Sequence, residues 1–281
     1  MPGGVRPRGP LWLITPSLIF LTALFAWPLV AGIGQALTGP GGFTLANVRR
    51  MLDDPYFWPA ARNTALLIVV LIPLQFALAI AMALLLRARP RFAGVYFYIW
   101  VIPLAISDLA AGLVWLAVFT DRGYLNSALA HLQIDGYAWL SYQHPVTMFL
   151  AVVVAELWRS TSLVFVIVVA GMQSIPRDYD EAAAVFGASY WQRLRKVILP
   201  QLRPSLQVAL ILRTILALET FAVAQALTGR NLPLLVGETY QWYSVLQNPN
   251  VATAIALVIL ALSMLAAFGY LRALREPGGQ P

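Results

Sequence analysis

Cysteine is absent from the 281-residue sequence, and histidine and lysine are nearly so, with only His131, His144 and Lys196 present. The lack of cysteine excludes disulfides, thiolate catalysis and cysteine-ligated metal sites. Two isolated histidines argue against a metal centre. Lys196 follows Arg195, so the Gly-Lys pair of a phosphate-binding loop cannot occur, and no ATPase site is expected on this chain.

Charged residues are also scarce, since they make up 11% of the chain against 60% for hydrophobic residues. That balance leaves more apolar surface than a water-soluble domain of this length can bury, so the lipid bilayer is the expected solvent. The apolar residues recur in runs of about 20, which suits membrane helices, whereas a barrel would show short alternating segments. The net charge of +7 lies mostly in short loops, which argues against nucleic acid as a partner.

Six such runs predict an all-α polytopic membrane protein with six transmembrane helices. They lie near residues 11–37, 62–86, 93–119, 145–171, 205–227 and 251–271. Arg6 and Arg8 precede the first run, as in a signal peptide, but a run of 27 residues that includes Pro16, Trp27 and Pro28 is too long for one. The first run is therefore expected to remain as a membrane helix.

Positive charge is distributed unevenly between the two sets of loops. The tails 1–10 and 272–281 and the loops 87–92 and 172–204 hold 12 of the 19 Lys and Arg residues, and the remaining loops hold 5. Positively charged loops stay in the cytoplasm, so both termini and the 172–204 loop are predicted to be cytoplasmic. The outer loops, of about 20–25 residues each, are too short to form a ligand-capturing domain, so capture is expected to belong to another protein.

The longest cytoplasmic loop, residues 172–204, has the pattern of two helices joined by a turn. Pro176 suits the first turn of a helix and Gly187 its C-terminal turn, and three acidic residues between them favour the positive N-terminal end of that helix. A second short helix is predicted from about Ser189, with Pro200 interrupting it. So compact a unit, with three consecutive alanines, suits docking onto a partner.

The same loop resembles the signature of ABC importer permeases, which is Glu-Ala-Ala, three residues, Gly, nine residues, a β-branched residue, one residue and Leu-Pro. In that family the loop forms coupling helices that sit in a groove of the ATPase subunit. The resemblance implies that the ATPase-coupling residues are Asp180, Glu181, Ala182, Ala183, Gly187, Leu199 and Pro200. Val197 departs from the usual isoleucine, and Phe186 stands where an aspartate is common. An amphipathic connector with accidental alanines is the alternative interpretation.

Shorter motifs narrow the resemblance to the maltose-type sugar permeases. These motifs are Arg62-Asn63-Thr64, Ile102-Pro103, Gly112-Leu113-Val114-Trp115, Gly123-Tyr124-Leu125-Asn126 and Leu227-Thr228-Gly229. Arg230-Asn231-Leu232 follows the last of them where Gly-Gly-Pro is usual. That departure leaves the cargo open between a neutral sugar and an acidic glycoside or glycerophosphate-like solute.

The resemblance also implies the assembly around this chain. It implies a type I ABC importer permease fold, multi-pass in the cytoplasmic (inner) membrane of a prokaryote, with the 172–204 loop as its coupling element. The implied partners are an extracytoplasmic solute-binding protein, a second homologous permease subunit and two ABC ATPase subunits, with a homodimer as the lesser option. ATP and Mg would then bind to the ATPase subunits, and no cofactor is expected on this chain.

Five ionisable residues fall inside the predicted spans, where each costs at least about 2.5–3.5 kcal/mol unless it is paired or hydrated. They are Asp108, Glu156, Arg159, Arg213 and Glu219. The fourth span carries Glu156, Arg159 and Ser160 on one face. The fifth carries Arg213, Ala217 and Thr220 as a second stripe, with Glu219 beside it. Aligned with the maltose-type pattern, both stripes fall where the resemblance places the contacts with sugar. The predicted cargo site therefore consists of the two stripes and Glu219, without Asp108.

Other interpretations of these residues stay open. Glu156 and Arg159 can instead neutralise each other and tie helices together. Tyr98, Trp115 and Trp158 can stack on a sugar, but membrane aromatics also form the interfacial belt or the core.

Two other classes of protein are less consistent with the sequence. A self-contained secondary transporter or channel predicts an inverted repeat and broken helices within one chain, and neither is evident. A membrane-embedded enzyme predicts clustered catalytic residues such as an HExxH motif, which the sequence lacks.

Overall fold

The computed structural model describes residues 14–39 and 41–273. The predicted tail 1–10, the first residues of the first predicted span and residues 274–281 lie outside this range. Within it the chain is mostly helical, with irregular connections such as residues 132–144 and a small antiparallel ribbon of Thr38–Gly39 (β1) and Gly42–Phe43 (β2). The helices are, in chain order, Thr15–Ala36 (α1), Ala46–Leu52 (α2), Phe57–Arg87 (α3), Ala93–Val101 (α4), Asp108–Phe119 (α5), Tyr124–His131 (α6), Pro145–Gln173 (α7), Arg177–Val185 (α8), Tyr190–Leu218 (α9), Ala222–Thr228 (α10), Leu235–Tyr240 (α11) and Pro249–Ala273 (α12).

Four of these helices, α1, α3, α7 and α12, are each long and apolar enough to cross a membrane. They lie in the first, second, fourth and sixth predicted runs. Two bent pairs, α4 with α5 and α9 with α10, raise the number of spans to six if each pair is one span. The structure therefore agrees with an all-α polytopic fold, but the third and fifth runs are not the single helices that were predicted.

The third run, 93–119, is broken in its middle. After α4 the chain makes a 3-10 turn at Ile102–Ala105, and α5 leaves at 104° to the preceding helical segment. Ile106 and Ser107 are extended, and the Ser107 hydroxyl accepts a hydrogen bond from the Ala110 N–H at 3.2 Å. A serine N-cap followed by an aspartate is a helix start, so α5 begins anew inside an apolar run.

The fifth run, 205–227, differs from its prediction at both ends. The helix that enters it, α9, already begins at Tyr190, so the short helix predicted to stop at Pro200 is instead continuous with the span. A π turn at Leu194–Ile198 allows this, because it widens the helix just before the proline, whose ring would collide with a carbonyl oxygen in the turn below. At the other end α9 stops at Leu218, and α10 continues at an angle of 43°.

The described residues divide into two compact units. One takes the residues up to Asp54 together with Thr239–Val258, and the other takes Pro55–Glu238 together with the residues from Ile259 onward. The second unit has two apolar cores, both built along α3 and α7. One core adds α10 and includes Leu67 and Val223, and the other adds α9 and includes Val164 and Leu202.

Close packing in the first core depends on Gly112 of α5. A Cβ atom at this position would lie 2.7 Å from the Ala226 Cβ and 3.2 Å from the Val223 Cα, both on α10. Small residues at such crossings allow two membrane helices to approach closely.

We expect Gly112→Leu to force α5 and α10 apart and to destabilise the fold by about 1–3 kcal/mol. Thermal unfolding of the detergent-purified chain measures this. Gly269→Leu on α12 is the matched control, because a Cβ atom at Gly269 meets no atom of the described residues within 4 Å. Equal unfolding temperatures for the two variants would contradict the close α5–α10 contact.

Candidate functional site

A buried carboxylate lies between the two apolar cores. Glu156 of α7 has only 1% of its side chain exposed, and its Oε2 atom accepts a hydrogen bond from the Ser160 hydroxyl at 2.8 Å. Arg213 of α9, equally buried, donates to the same oxygen from Nη2 at 3.1 Å. The two predicted stripes therefore face each other, and their charged members form an ion pair inside the helix bundle.

A third helix joins this pair through Gln75 of α3. The Arg213 Nε donates to the Gln75 Oε1 at 2.8 Å, and the Gln75 Nε2 donates to the backbone carbonyl oxygen of Glu156 at 3.4 Å. Gln75 was missed in the sequence analysis, although a lone amide within an apolar run needs a buried hydrogen-bond partner. Its contacts tie α3, α7 and α9 together at one level.

The network reaches the surface at Arg159 and Asp108. Arg159 Nη2 lies 3.6 Å from the Glu156 Oε2, and Arg159 Nη1 lies 2.7 Å from the Asp108 Oδ1. The Arg159 side chain is 21% exposed, and that of Asp108, the first residue of α5 after the break, is 52% exposed. Two carboxylates and two guanidinium groups thus balance each other, and only the Arg159–Asp108 end is accessible.

The remaining predicted cargo residues lie at the break between α9 and α10. Ala217 and Thr220 are buried, and the Thr220 hydroxyl has no hydrogen-bond partner among the residues described. Glu219 is exposed at the end of α9 and is not one of the ion-paired residues. Ion pairs and hydrogen bonds therefore join Glu156, Arg159, Ser160 and Arg213, whereas the other three residues lie one to two helical turns beyond Arg213.

The three candidate aromatic residues differ in their burial and packing. Trp158 contacts Trp115 edge to face, with ring centroids 6.0 Å apart, and Trp115 stacks on Phe119 at 5.4 Å. Phe119 belongs to the first core and Trp115 packs against that core, whereas Trp158 is exposed. Tyr98 is exposed and contacts the neighbouring Phe97 ring. The packing of Trp115 favours a role in the core.

The loop between α7 and α9 is a second candidate site, separate from the charge network. Its helix α8 begins directly after Pro176 and ends at Val185, with Phe186 as the C-cap. Gly187 then takes a φ of +79°, a left-handed conformation suited to glycine. Ser189 caps α9 in a reciprocal capping box with Gln192. An ion pair of 3.3 Å between Asp180 and Arg193 links α8 to α9. The predicted turn and helix starts are therefore present, and the unit is braced internally.

The solvent-facing surface of the α8 loop carries exposed apolar side chains. Val185 is 85% exposed and Phe186 is 90% exposed, and Glu181 and Ala182 are exposed beside them. Leu199 and Pro200 lie within α9 and are half-buried. Because the adjacent apolar residues Val185 and Phe186 lie in a loop between membrane helices and not within a predicted span, a partner protein can contact them.

The comparisons with known proteins decide the family. The family described as "Binding-protein-dependent transport system inner membrane component" matches residues 75–275, which include the charge network and the α8 loop. The chain belongs to this family. It is a permease of an ABC importer that works with a solute-binding protein.

The relatives of this chain are transport permeases, and the similarity covers most of each of them. The sulfoquinovosyl glycerol transport system permease protein of Agrobacterium fabrum is 32% identical and covers 94% of this chain and 89% of its own. The trehalose/maltose transport system permease protein of Thermococcus litoralis is 36% identical over 66% of this chain and 62% of its own. The sn-glycerol-3-phosphate transport system permease protein of Brucella abortus is 30% identical over 90% of each chain.

The fold matches a solved structure. A chain of a bacterial alginate ABC transporter, crystallised with a periplasmic protein bound to an alginate pentasaccharide, superimposes with a TM-score of 0.79 at 18% identity, covering 94% of each chain. The predicted type I importer permease fold is thereby confirmed.

The absence of broken helices was one of the two reasons to set aside a self-contained secondary transporter. That reason is wrong, because two spans are broken. The family match leads to the same conclusion independently.

Proposed function

We propose that this chain is the permease subunit through which an ATP-driven importer passes a sugar across the prokaryotic inner membrane, after delivery by an extracytoplasmic solute-binding protein. The observation that carries the proposal is the similarity, over most of the chain, to permeases named for trehalose, maltose and sulfoquinovosyl glycerol transport. The alternating-access site would lie at the charge network, where a broken span exposes Arg159 and Asp108.

The proposed assembly adds a second homologous permease and two ATPase subunits, which would hold ATP and Mg. The exposed apolar end of α8 fits a groove on an ATPase subunit, and its ion pair to α9 makes the loop rigid enough to transmit a movement. This arrangement requires the α8 loop and both termini to be cytoplasmic, in agreement with the distribution of Lys and Arg.

The balanced charges of the network favour a neutral cargo. Arg159 is already paired with Asp108, and Arg213 is already paired with Glu156. An anionic solute would have to displace Asp108 from Arg159, whereas sugar hydroxyls can both donate to the carboxylate and accept from the guanidinium group. A neutral sugar is therefore the cargo that we propose. The alternative is a glycerophosphate-like solute or an acidic glycoside, because relatives are named for sn-glycerol-3-phosphate and for sulfoquinovosyl glycerol, which carries a sulfonate.

The test is the ATPase activity of the complex, reconstituted in lipid with its co-encoded subunits and binding protein, and titrated with sugars and glycerol 3-phosphate. We expect a neutral sugar to stimulate hydrolysis. Asp108→Asn should raise the sugar concentration for half-maximal stimulation about tenfold, because a hydrogen bond to a charged group is worth about 1.5–3 kcal/mol.

Asp135→Asn, the same change at an exposed residue of an outer loop, is the matched control and should leave the titration unchanged. Stimulation by glycerol 3-phosphate alone would contradict the neutral cargo. Failure of any ATPase subunit to copurify, together with failure of every solute to stimulate, would overturn the importer assembly.

A further inference from the structure

A cavity of about 510 Å³ opens where α3 and α7 end, on the same side of the bundle as the α8 loop. Sites for small molecules have volumes of about 300–1,000 Å³. Three of the residues that line it are arginines, namely Arg87, Arg89 and Arg177. No Asp or Glu is among the described residues that line the cavity. The cavity lies far along α3 and α7 from the charge network, so the cargo site does not account for it.

The arginines are only partly satisfied by the protein. Arg87 Nη1 donates to the Met172 carbonyl oxygen at 3.2 Å, and Arg177 Nη2 donates to the Arg87 carbonyl oxygen at 3.4 Å. Arg87 Nη2 is buried and has no hydrogen-bond partner within the described part of the chain. A buried donor without an acceptor costs about 1–3 kcal/mol. The Arg89 and Arg177 side chains line the cavity and are exposed, so their guanidinium groups can receive an acceptor from a ligand.

The other walls of the cavity are apolar. Leu86 of α3, Phe97 of α4 and Val169 of α7 line it beside the arginines. A free anion would leave these walls exposed, whereas an amphiphile would cover both kinds of surface. Basic pockets between membrane helices at the level of the headgroups bind anionic lipids in this way.

We propose that this cavity binds an anionic phospholipid. Its phosphate oxygens accept from the guanidinium groups of Arg87, Arg89 and Arg177, and its glycerol backbone and first acyl carbons pack on Leu86 and Phe97. This inference goes beyond the transport of a sugar and is independent of the cargo.

The experiment is native mass spectrometry of the full chain in detergent, titrated with phosphatidylglycerol. Combined replacement of Arg87, Arg89 and Arg177 by Gln should weaken binding by about tenfold or more, since bidentate Arg–phosphate contacts are lost. The matched control replaces Arg91, Arg195 and Arg203 by Gln, which removes the same charge from the same two loops without touching the cavity. It should change binding by no more than about twofold, through screened long-range attraction alone.

A second variant keeps every charge. Gly94 lines the cavity, and a Cβ atom there meets nothing within 4 Å in the part of the chain that the structure describes. Gly94→Phe should therefore fill the space without a clash and displace the lipid. Far-ultraviolet circular dichroism and thermal unfolding identify any variant that fails to fold. The lipid is ruled out if Gly94→Phe folds and binds phosphatidylglycerol normally, or if the two triple variants lose binding equally.

A competition experiment distinguishes the phosphate of a lipid headgroup from that of a soluble anion. Inorganic phosphate and glycerol 3-phosphate at millimolar concentration should leave the bound lipid in place, because they lack the chains that contact Leu86 and Phe97. Displacement of the lipid by inorganic phosphate would overturn the phospholipid assignment in favour of a soluble anion.

Discussion

Glu156→Ala is expected to reduce sharply the amount of folded protein that can be purified. The change removes the only carboxylate that contacts Arg213 within the described range, and Arg213 has 1% of its side chain exposed. A buried guanidinium group left without its counter-ion costs about 3–5 kcal/mol, which is a large part of the stability of an ordinary domain. Size-exclusion yield and thermal unfolding of the detergent-solubilised chain measure the effect.

Two further variants make this prediction specific. Glu219→Ala removes the same side chain from an exposed position outside the network and should leave yield and unfolding temperature unchanged. Replacing both Glu156 and Arg213 by Met removes both charges and should recover most of the stability, because apolar residues can substitute for a buried pair. If Glu156→Ala is as stable as Glu219→Ala, the ion pair does not hold α7 and α9 together.

The double Met variant also separates structure from transport. A complex that assembles with both residues replaced, yet loses stimulation by the sugar, would assign Glu156 and Arg213 to the transport cycle as well as to the fold. A complex that transports normally would limit the cargo contacts to the half-buried Arg159 and the exposed Asp108. The buried position of the first pair favours the second result.

Helical periodicity could predict each stripe but not the pairing between them. Glu156, Arg159 and Ser160 share a face because side chains three and four residues apart are neighbours on any helix. That Arg213 reaches Glu156 from a helix 57 residues further along depends on how α7 and α9 cross, and that geometry comes from the two apolar cores. Asp108 joins the network only because the backbone turns just before it.

The breaks in the third and fifth spans were missed because hydropathy does not respond to backbone direction. Residues 93–119 are apolar on both sides of the bend, so their composition is that of one span. Local signals were nevertheless present, since Pro103 favours a turn and Ser107 with Asp108 has the chemistry of a helix start. At Pro200 a break was predicted where the helix is continuous, because a π turn just before the proline carries the helix past a residue that usually ends one.

The second large effect is expected at Gly187, in the turn between α8 and α9. Its φ of +79° is a conformation that costs other residues about 1–2 kcal/mol and excludes β-branched side chains. Gly187→Val should therefore rotate the exposed end of α8 away from its present position. Since Val185 and Phe186 lie at that end, the contact proposed with the ATPase subunit should be lost. We expect a complex that retains basal ATPase activity, or releases the ATPase subunit, and in either case is no longer stimulated by sugar.

Gly187→Asn provides the matched control, because asparagine tolerates the left-handed conformation. A Cβ atom at this position meets no atom of residues 14–39 or 41–273 within 4 Å, so a side chain is excluded here only by the backbone angle or by a partner. Stimulation retained in Gly187→Asn but lost in Gly187→Val would make the turn geometry the requirement. Loss in both, with the complex assembled, would mean that the partner surface fills the space next to the glycine. Full stimulation in Gly187→Val would contradict a coupling role for the loop, and the exposed Phe186 would then need another partner.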